Sequence, residues 1–87
     1  MKIKKGFILR EVAGNYIVVS VGEMVKQFNG VINLNQTGAF LWRELEKGGD
    51  KESLTEALLR EYDVDREKAQ KDAEKFIDTL TSAGIVE

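Results

Sequence analysis

The pattern of apolar residues changes at Asn35, and this change limits the possible folds more than any other feature. Before Asn35, β-branched and aromatic residues stand in short runs separated by Gly and Asn, which is typical of strands and turns. After Asn35, apolar residues recur every three to four positions, the spacing of one helix face. Strands followed by helices indicate the α+β class. A chain of 87 residues is expected to form a single domain over residues 1–87.

The first hairpin is predicted from two runs of strand-forming residues, 7–13 and 16–21. They flank Gly14-Asn15, and a two-residue loop that begins with Gly favours a type II′ turn. Neither face of this hairpin is purely polar. One predicted face holds Ile8, Arg10, Val12, Ile17, Val19 and Val21, and the other holds Phe7, Leu9, Tyr16 and Val18.

A third short strand is predicted over residues 31–34, after a second hairpin signal at Asn29-Gly30. Residues 24–28 fit either a fourth strand or an irregular return. The run from Val31 to Leu34 has no charge and no Pro, so it lacks two common protections against pairing with another chain. The pattern leaves two alternatives: an open docking edge, or a strand that lies in the middle of the sheet or at a covered edge.

Three helices are predicted after the strands, each with a capping residue before it. Glycines are expected to end the first and the third. The predicted elements are Asn35 with a helix to about residue 47 and Gly48-Gly49, Asp50 with residues 51–61, and Asp65 with residues 66–83 and Gly84.

The third predicted helix divides into three strips when its residues are placed at 100° steps. One strip is an apolar wall that includes Phe76 and Leu80. Beside it lie an acidic strip and a basic strip, and the basic strip contains Lys68, Lys71 and Lys75. The strips fit a core helix with an ion-paired outer surface, and they also fit a groove for an extended acidic peptide.

The chain contains no Cys and no His. Their absence removes thiolate metal sites, disulfides, Ser–His–Asp triads and the commonest general base. We therefore expect a protein that is not an enzyme and that uses no metal and no cofactor.

The formal net charge of −2 argues against nucleic acid as a partner, because duplex binders neutralise phosphates with a surplus of Lys and Arg. The third predicted helix has no such surplus. No apolar run approaches the ~20 residues that span a bilayer. We expect a cytoplasmic protein that binds no nucleic acid and no membrane.

Five segments, taken together and in order, resemble the PqqD family, the recognition elements of ribosomally synthesised, modified peptides (RiPPs). The most specific segment is Leu34-Asn-Gln-Thr-Gly-Ala-Phe-Leu-Trp42. None is a catalytic signature, so the resemblance rests on the combination, which covers nearly the whole chain. The other segments are Lys5-Gly-Phe-Ile-Leu-Arg-Glu-Val12, Phe28-Asn-Gly30, Leu58-Leu-Arg-Glu-Tyr-Asp-Val64 and residues 72–84.

The resemblance implies a winged helix-turn-helix-like fold that binds peptides rather than DNA. In this family the leader of a precursor peptide adds to the third strand and packs against the third helix. The domain then presents the precursor to a maturation enzyme, commonly a radical SAM protein. The chain looks like a stand-alone peptide chaperone of this kind. The implied peptide-binding residues are Val31, Ile32, Asn33 and Leu34 on the third strand, and Lys68, Lys71, Asp72, Lys75, Phe76 and Thr79 on the third helix.

Two other functions stay open at this point. The chain could be a winged-helix nucleic-acid binder, whose duplex binding would weaken steeply with added salt. It could also be a structural subunit whose edge strand pairs with a protein partner or with a second copy, which would give a homodimer.

Overall fold

The computed structural model describes residues 1–28 and 30–87, which form an antiparallel sheet followed by three helices. This order is the α+β architecture that the sequence predicts. No helix in the described part of the chain is long and apolar enough to cross a membrane. The strands are β1 (Phe7–Val12), β2 (Asn15–Ser20) and β3 (Val31–Leu34), and the helices are α1 (Gln36–Glu46), α2 (Lys51–Glu61) and α3 (Arg66–Ser82).

The hairpin between β1 and β2 has its turn at Ala13-Gly14, one residue before the predicted position. Val12 pairs with Asn15, and the two turn residues have φ values of 52° and 81°. Positive φ at both central residues characterises a type I′ turn, so the prediction of a type II′ turn at Gly14-Asn15 was wrong. The predicted faces are nevertheless correct, because the register differs by two residues and strand side chains alternate with a period of two.

The chain returns from β2 to β3 through a short 3₁₀ helix, Gly22–Lys26. The alternative of a fourth strand over residues 24–28 is therefore wrong. The predicted turn at Asn29-Gly30 includes Asn29, which lies outside the described residues. Phe28 packs edge-on against Phe7, with ring centroids 5.2 Å apart, and so attaches this return to the sheet.

Each helix begins at its predicted cap, because an oxygen of the capping side chain accepts a backbone N–H of the first turn. α3 ends beside Gly84, whose φ of 76° suits a glycine stop. The capping bonds run from the N–H of Gly38 to Asn35 (2.7 Å), from Ser53 to Asp50 (2.9 Å) and from Lys68 to Asp65 (2.8 Å).

The core lies between the inner face of the sheet and the three helices. Phe7 and Val18 contribute to it from the sheet, and Trp42 lies at 0% exposure in α1. The indole N–H of Trp42 has no hydrogen-bond partner among residues 1–28 and 30–87. An isolated bridge between Ile3 and Val86 joins the two ends of the chain and completes one side of the core.

Candidate functional site

β3 is an edge strand. The sheet order is β1-β2-β3, and within the described ranges β3 pairs with β2 alone. The alternative that residues 31–34 lie in the middle of the sheet is therefore wrong. An edge strand exposes backbone hydrogen-bonding groups that can pair with another chain.

The hydrogen bonds of the sheet determine which groups of β3 face outward. The N–H of Val21 donates to the carbonyl oxygen of Gly6 (2.8 Å), the residue just before β1. The backbone groups of Val21 therefore point toward β1. In an antiparallel ladder, successive residues point these groups to opposite sides. Those of Val18 therefore point toward β3, where they meet Ile32. It follows that the N–H and C=O groups of Val31 and Asn33 face the open edge.

A cavity of about 500 Å³ lies where the end of β3 meets α1, α2 and α3. Its buried lining is apolar, with Leu41, Leu58 and Phe76 each at most 7% exposed. Polar side chains of α3 surround the opening. The lining residues are Asn33, Leu34, Asn35, Thr37, Gly38, Leu41, Leu58, Tyr62, Val64, Lys68, Asp72, Lys75, Phe76 and Thr79.

A second cleft, of about 730 Å³, lies between β3 and α3. Lys75 and Thr79 line both spaces, which therefore adjoin along α3. We call the combined space the β3–α3 groove. The second cleft is lined by Ile32, Lys71, Glu74, Lys75, Asp78, Thr79, Ser82 and Ala83.

Nine of the ten residues predicted to bind peptide line the β3–α3 groove. The exception is Val31, which is 56% exposed. Phe76 is 7% exposed and still lines the groove, so the same side chain belongs to the core and to the cavity wall.

Several lining residues were not predicted as site residues. Thr37, Tyr62 and Val64 stand in segments that resemble the family, and this was the available signal. Leu41 and Leu58 also stand in such segments, and they lie on the apolar faces of α1 and α2. An apolar helix face has the same period whether it packs against another element or forms the floor of a cavity.

The lysines of α3 that line the groove differ in whether they form an ion pair. Lys75 forms no ion pair within residues 1–28 and 30–87, and it lies where the cavity and the cleft adjoin. The other basic residues of the helix have carboxylate partners. The pairs are Lys68–Asp72 (3.4 Å), Lys71–Glu67 (3.3 Å), Arg66–Glu56 (2.8 Å) and Arg66–Glu52 (4.0 Å).

Three ion pairs in the described part of the chain connect α2 to α3, namely Lys51–Glu74, Arg66–Glu56 and the longer Arg66–Glu52 (4.0 Å). The ammonium group of Lys51 donates to Glu74 (2.8 Å), and this contact raises the pKa of Lys51 and lowers the pKa of Glu74. Arg66 donates to Glu56 (2.8 Å), which raises the pKa of Arg66. These groups are exposed, so the pairs contribute little to stability and mainly orient the two helices.

Two solved structures have the same fold as this chain. TbiB1 in complex with the TbiA(beta) leader peptide superposes with a TM-score of 0.80 and 23% sequence identity, covering 100% of this chain and 95% of that one. Lasso peptide synthetase B1 complexed with the leader peptide gives a TM-score of 0.78 and 19% identity, covering 99% of this chain and 95% of that one. No curated protein matches the sequence. The family model of Coenzyme PQQ synthesis protein D (PqqD) matches residues 7–86, and the chain therefore belongs to the PqqD family.

Proposed function

We propose that this chain binds the leader of a ribosomally made precursor peptide and presents the precursor to a maturation enzyme, without catalysis of its own. The observation that carries the proposal is the open edge of β3 beside the β3–α3 groove. The two structural neighbours were both solved with leader peptides bound, which supports the same class of ligand here. Residues 1–87 would act together as one leader-binding domain.

The leader adds to the sheet as a fourth strand next to β3. Val31 and Asn33 offer it backbone N–H and C=O groups. Backbone hydrogen bonds of this kind give affinity that depends little on the peptide sequence.

Side chains of the leader on the inner face of the sheet enter the β3–α3 groove and give selectivity. The cavity at the end of β3 has an apolar floor that includes Leu41 and Phe76, so it suits an apolar leader side chain. Lys75 lies between this cavity and the cleft, so an acidic side chain of the leader would form an ion pair there. The preferred ligand is thus an extended peptide with apolar and acidic residues.

The maturation enzyme that receives the precursor is a radical SAM protein or another peptide-modifying enzyme, the partners that the family implies. The step would take place in the cytoplasm, where ribosomes make the precursor.

Titration of the ¹⁵N-labelled chain with the precursor peptide encoded beside its gene tests the proposal by NMR. We expect micromolar or tighter binding, with amide shifts in β3 and α3, and no binding of the same peptide without its leader. Equal binding of the leaderless peptide, or shifts only outside β3 and α3, would contradict the proposal.

Two further measurements test the other functions. Tight binding of duplex DNA that weakens steeply with salt would support a nucleic-acid binder. Sedimentation showing a concentration-dependent mass, without any peptide binding, would support a subunit that pairs with its own copy through β3.

A further inference from the structure

The outer face of the sheet, which points away from the helices, is unusually apolar. An antiparallel sheet with one face toward water normally has polar residues on that face. Here Val12, Val21 and Val31 are exposed by 53%, 37% and 56%. Contiguous exposed apolar surface of this kind marks interaction sites in soluble proteins. The apolar residues of the outer face are Ile8, Val12, Ile17, Val19, Val21 and Val31.

The outer face continues to the edge where the leader is proposed to bind. Ile8 pairs with Val19, and Val19 pairs with Val31, so these three side chains form one row across the sheet. A strand added to β3 would place one of its own side chains next in that row. The leader would therefore enlarge the outer face by one strand.

A single charged side chain, that of Arg10, stands among the outward positions of β1, β2 and β3. Arg10 is exposed, and it forms no ion pair in the part of the chain that the structure describes. A complementary surface would be apolar and would place a carboxylate opposite Arg10. A second copy of this chain fits less well, because its outer face offers no carboxylate from the strands.

We propose that the outer face is the docking surface for the maturation enzyme, which contacts it through an apolar surface containing an acidic residue opposite Arg10. This inference rests on the proposed function, since the enzyme is the partner that function requires. The enzyme would then contact β1, β2, β3 and the bound leader on one continuous surface.

The peptide-modifying enzyme encoded beside this chain, produced with an affinity tag, is the probe for the test. Its binding is measured by biolayer interferometry with the wild-type chain and with the Arg10→Glu and Val12→Lys variants. We expect each variant to weaken enzyme binding about tenfold, while the affinity for the leader peptide stays unchanged. Arg60→Glu makes the same charge change on an exposed position of α2 and should leave both affinities unchanged.

A cross-linking experiment locates the predicted carboxylate. In the Arg10→Lys variant, a carbodiimide should join Lys at this position to an acidic residue of the enzyme, and the linked peptides are identified by mass spectrometry. The wild-type chain, which has Arg at position 10, should not form this cross-link.

The outcomes separate this inference from the proposed function. A chain that fails to bind the leader contradicts the proposed function itself. A chain that binds the leader overturns the inference if the enzyme does not bind, if both outer-face variants bind it like the wild type, or if these variants also lose the leader. Sedimentation that shows a dimer abolished by Val12→Lys would assign the outer face to a second copy and would also overturn it.

Discussion

Neighbouring residues of β3 differ in which side their backbone groups face. The groups of Val31 and Asn33 face the open edge, whereas those of Ile32 pair with β2. Proline removes a backbone donor, and it is tolerated in a strand when that donor faces outward at an edge. Substitutions to Pro at adjacent positions should therefore have different consequences.

Asn33→Pro should weaken leader binding about fivefold, because one backbone hydrogen bond contributes about 1 kcal/mol. Fluorescence anisotropy with a labelled leader measures the affinity. The Asn33→Ala variant keeps the N–H and should bind more tightly than the Pro variant. Ile32→Pro should instead lower the free energy of unfolding. Unfolding can be monitored by the fluorescence of the single Trp. Unchanged binding of Asn33→Pro would contradict strand addition at this edge.

Lys71 and Lys75 of α3 differ in whether the ammonium group already has an ion-pair partner in the described chain. Lys71 already contacts Glu67 and has 76% side-chain exposure, while Lys75 lies where the cavity and the cleft adjoin. Lys75→Glu should weaken binding of an acidic leader about tenfold at low salt and reduce the salt dependence of binding. Lys71→Glu should have a clearly smaller effect. If the two charge reversals weakened binding equally, the assignment of Lys75 would be wrong.

At the scale of elements, the turn between β1 and β2 contains a residue that does not favour the backbone conformation it adopts. Ala13 occupies the first of the two central positions of a type I′ turn. Its φ of 52° is unfavourable for an L-residue with a Cβ. Asn tolerates this region and forms the preferred Asn-Gly pair with the next residue. The hairpin therefore has a turn that its own sequence does not favour, and pairing of β1 with β2 maintains it.

Ala13→Asn should raise the free energy of unfolding by about 0.5–1 kcal/mol, because it relieves this conflict. Urea unfolding gives the value. The Ala13→Val variant is the control, since a β-branched residue is less suited to positive φ and should lower stability. A destabilised Asn variant would show that the turn is not of type I′ in solution.

For the whole molecule, the absence of His and Cys determines the response to pH. No side chain has an ordinary pKa between about 5 and 8, so the free energy of unfolding should be constant from about pH 5.5 to 7. At lower pH, the stability depends on carboxylates whose pKa is lowered in the folded state, and Asp50 and Glu74 are two of these. The N–H of Ser53 lowers the pKa of Asp50 from its ordinary 3.8, and Lys51 lowers that of Glu74 from 4.5.

A carboxylate with a lower pKa in the folded state stabilises the fold above its unfolded-state pKa, and this stabilisation is lost as the pH falls through the folded-state pKa. The melting temperature should therefore fall below about pH 4.5. Circular dichroism melts between pH 3 and 7 measure it. The Asp50→Asn and Glu74→Gln variants should show a shallower decline in acid. A clear loss of stability between pH 5.5 and 7 would contradict this prediction.

The sequence by itself determined the features that depend on nearby residues. Each helix start follows from one capping side chain and the N–H three positions later, and the strand faces follow from a period of two. The turn at Ala13-Gly14 was missed because its first residue is not one that favours positive φ, and pairing of two strands decided it.

The family resemblance gave nine of the residues that line the groove, but only the tertiary structure decided how the site is assembled, because the site depends on contacts between residues distant in sequence. Periodicity could not show that β3 lies at the edge, since that depends on which strand pairs with which. Nor could it show which lysine of α3 has no ion-pair partner in the described chain, or that Leu41 and Leu58 line a cavity. The spacing of apolar residues in the sequence shows which face of a strand or helix is apolar. The fold determines whether that face packs against another element or lines a cavity.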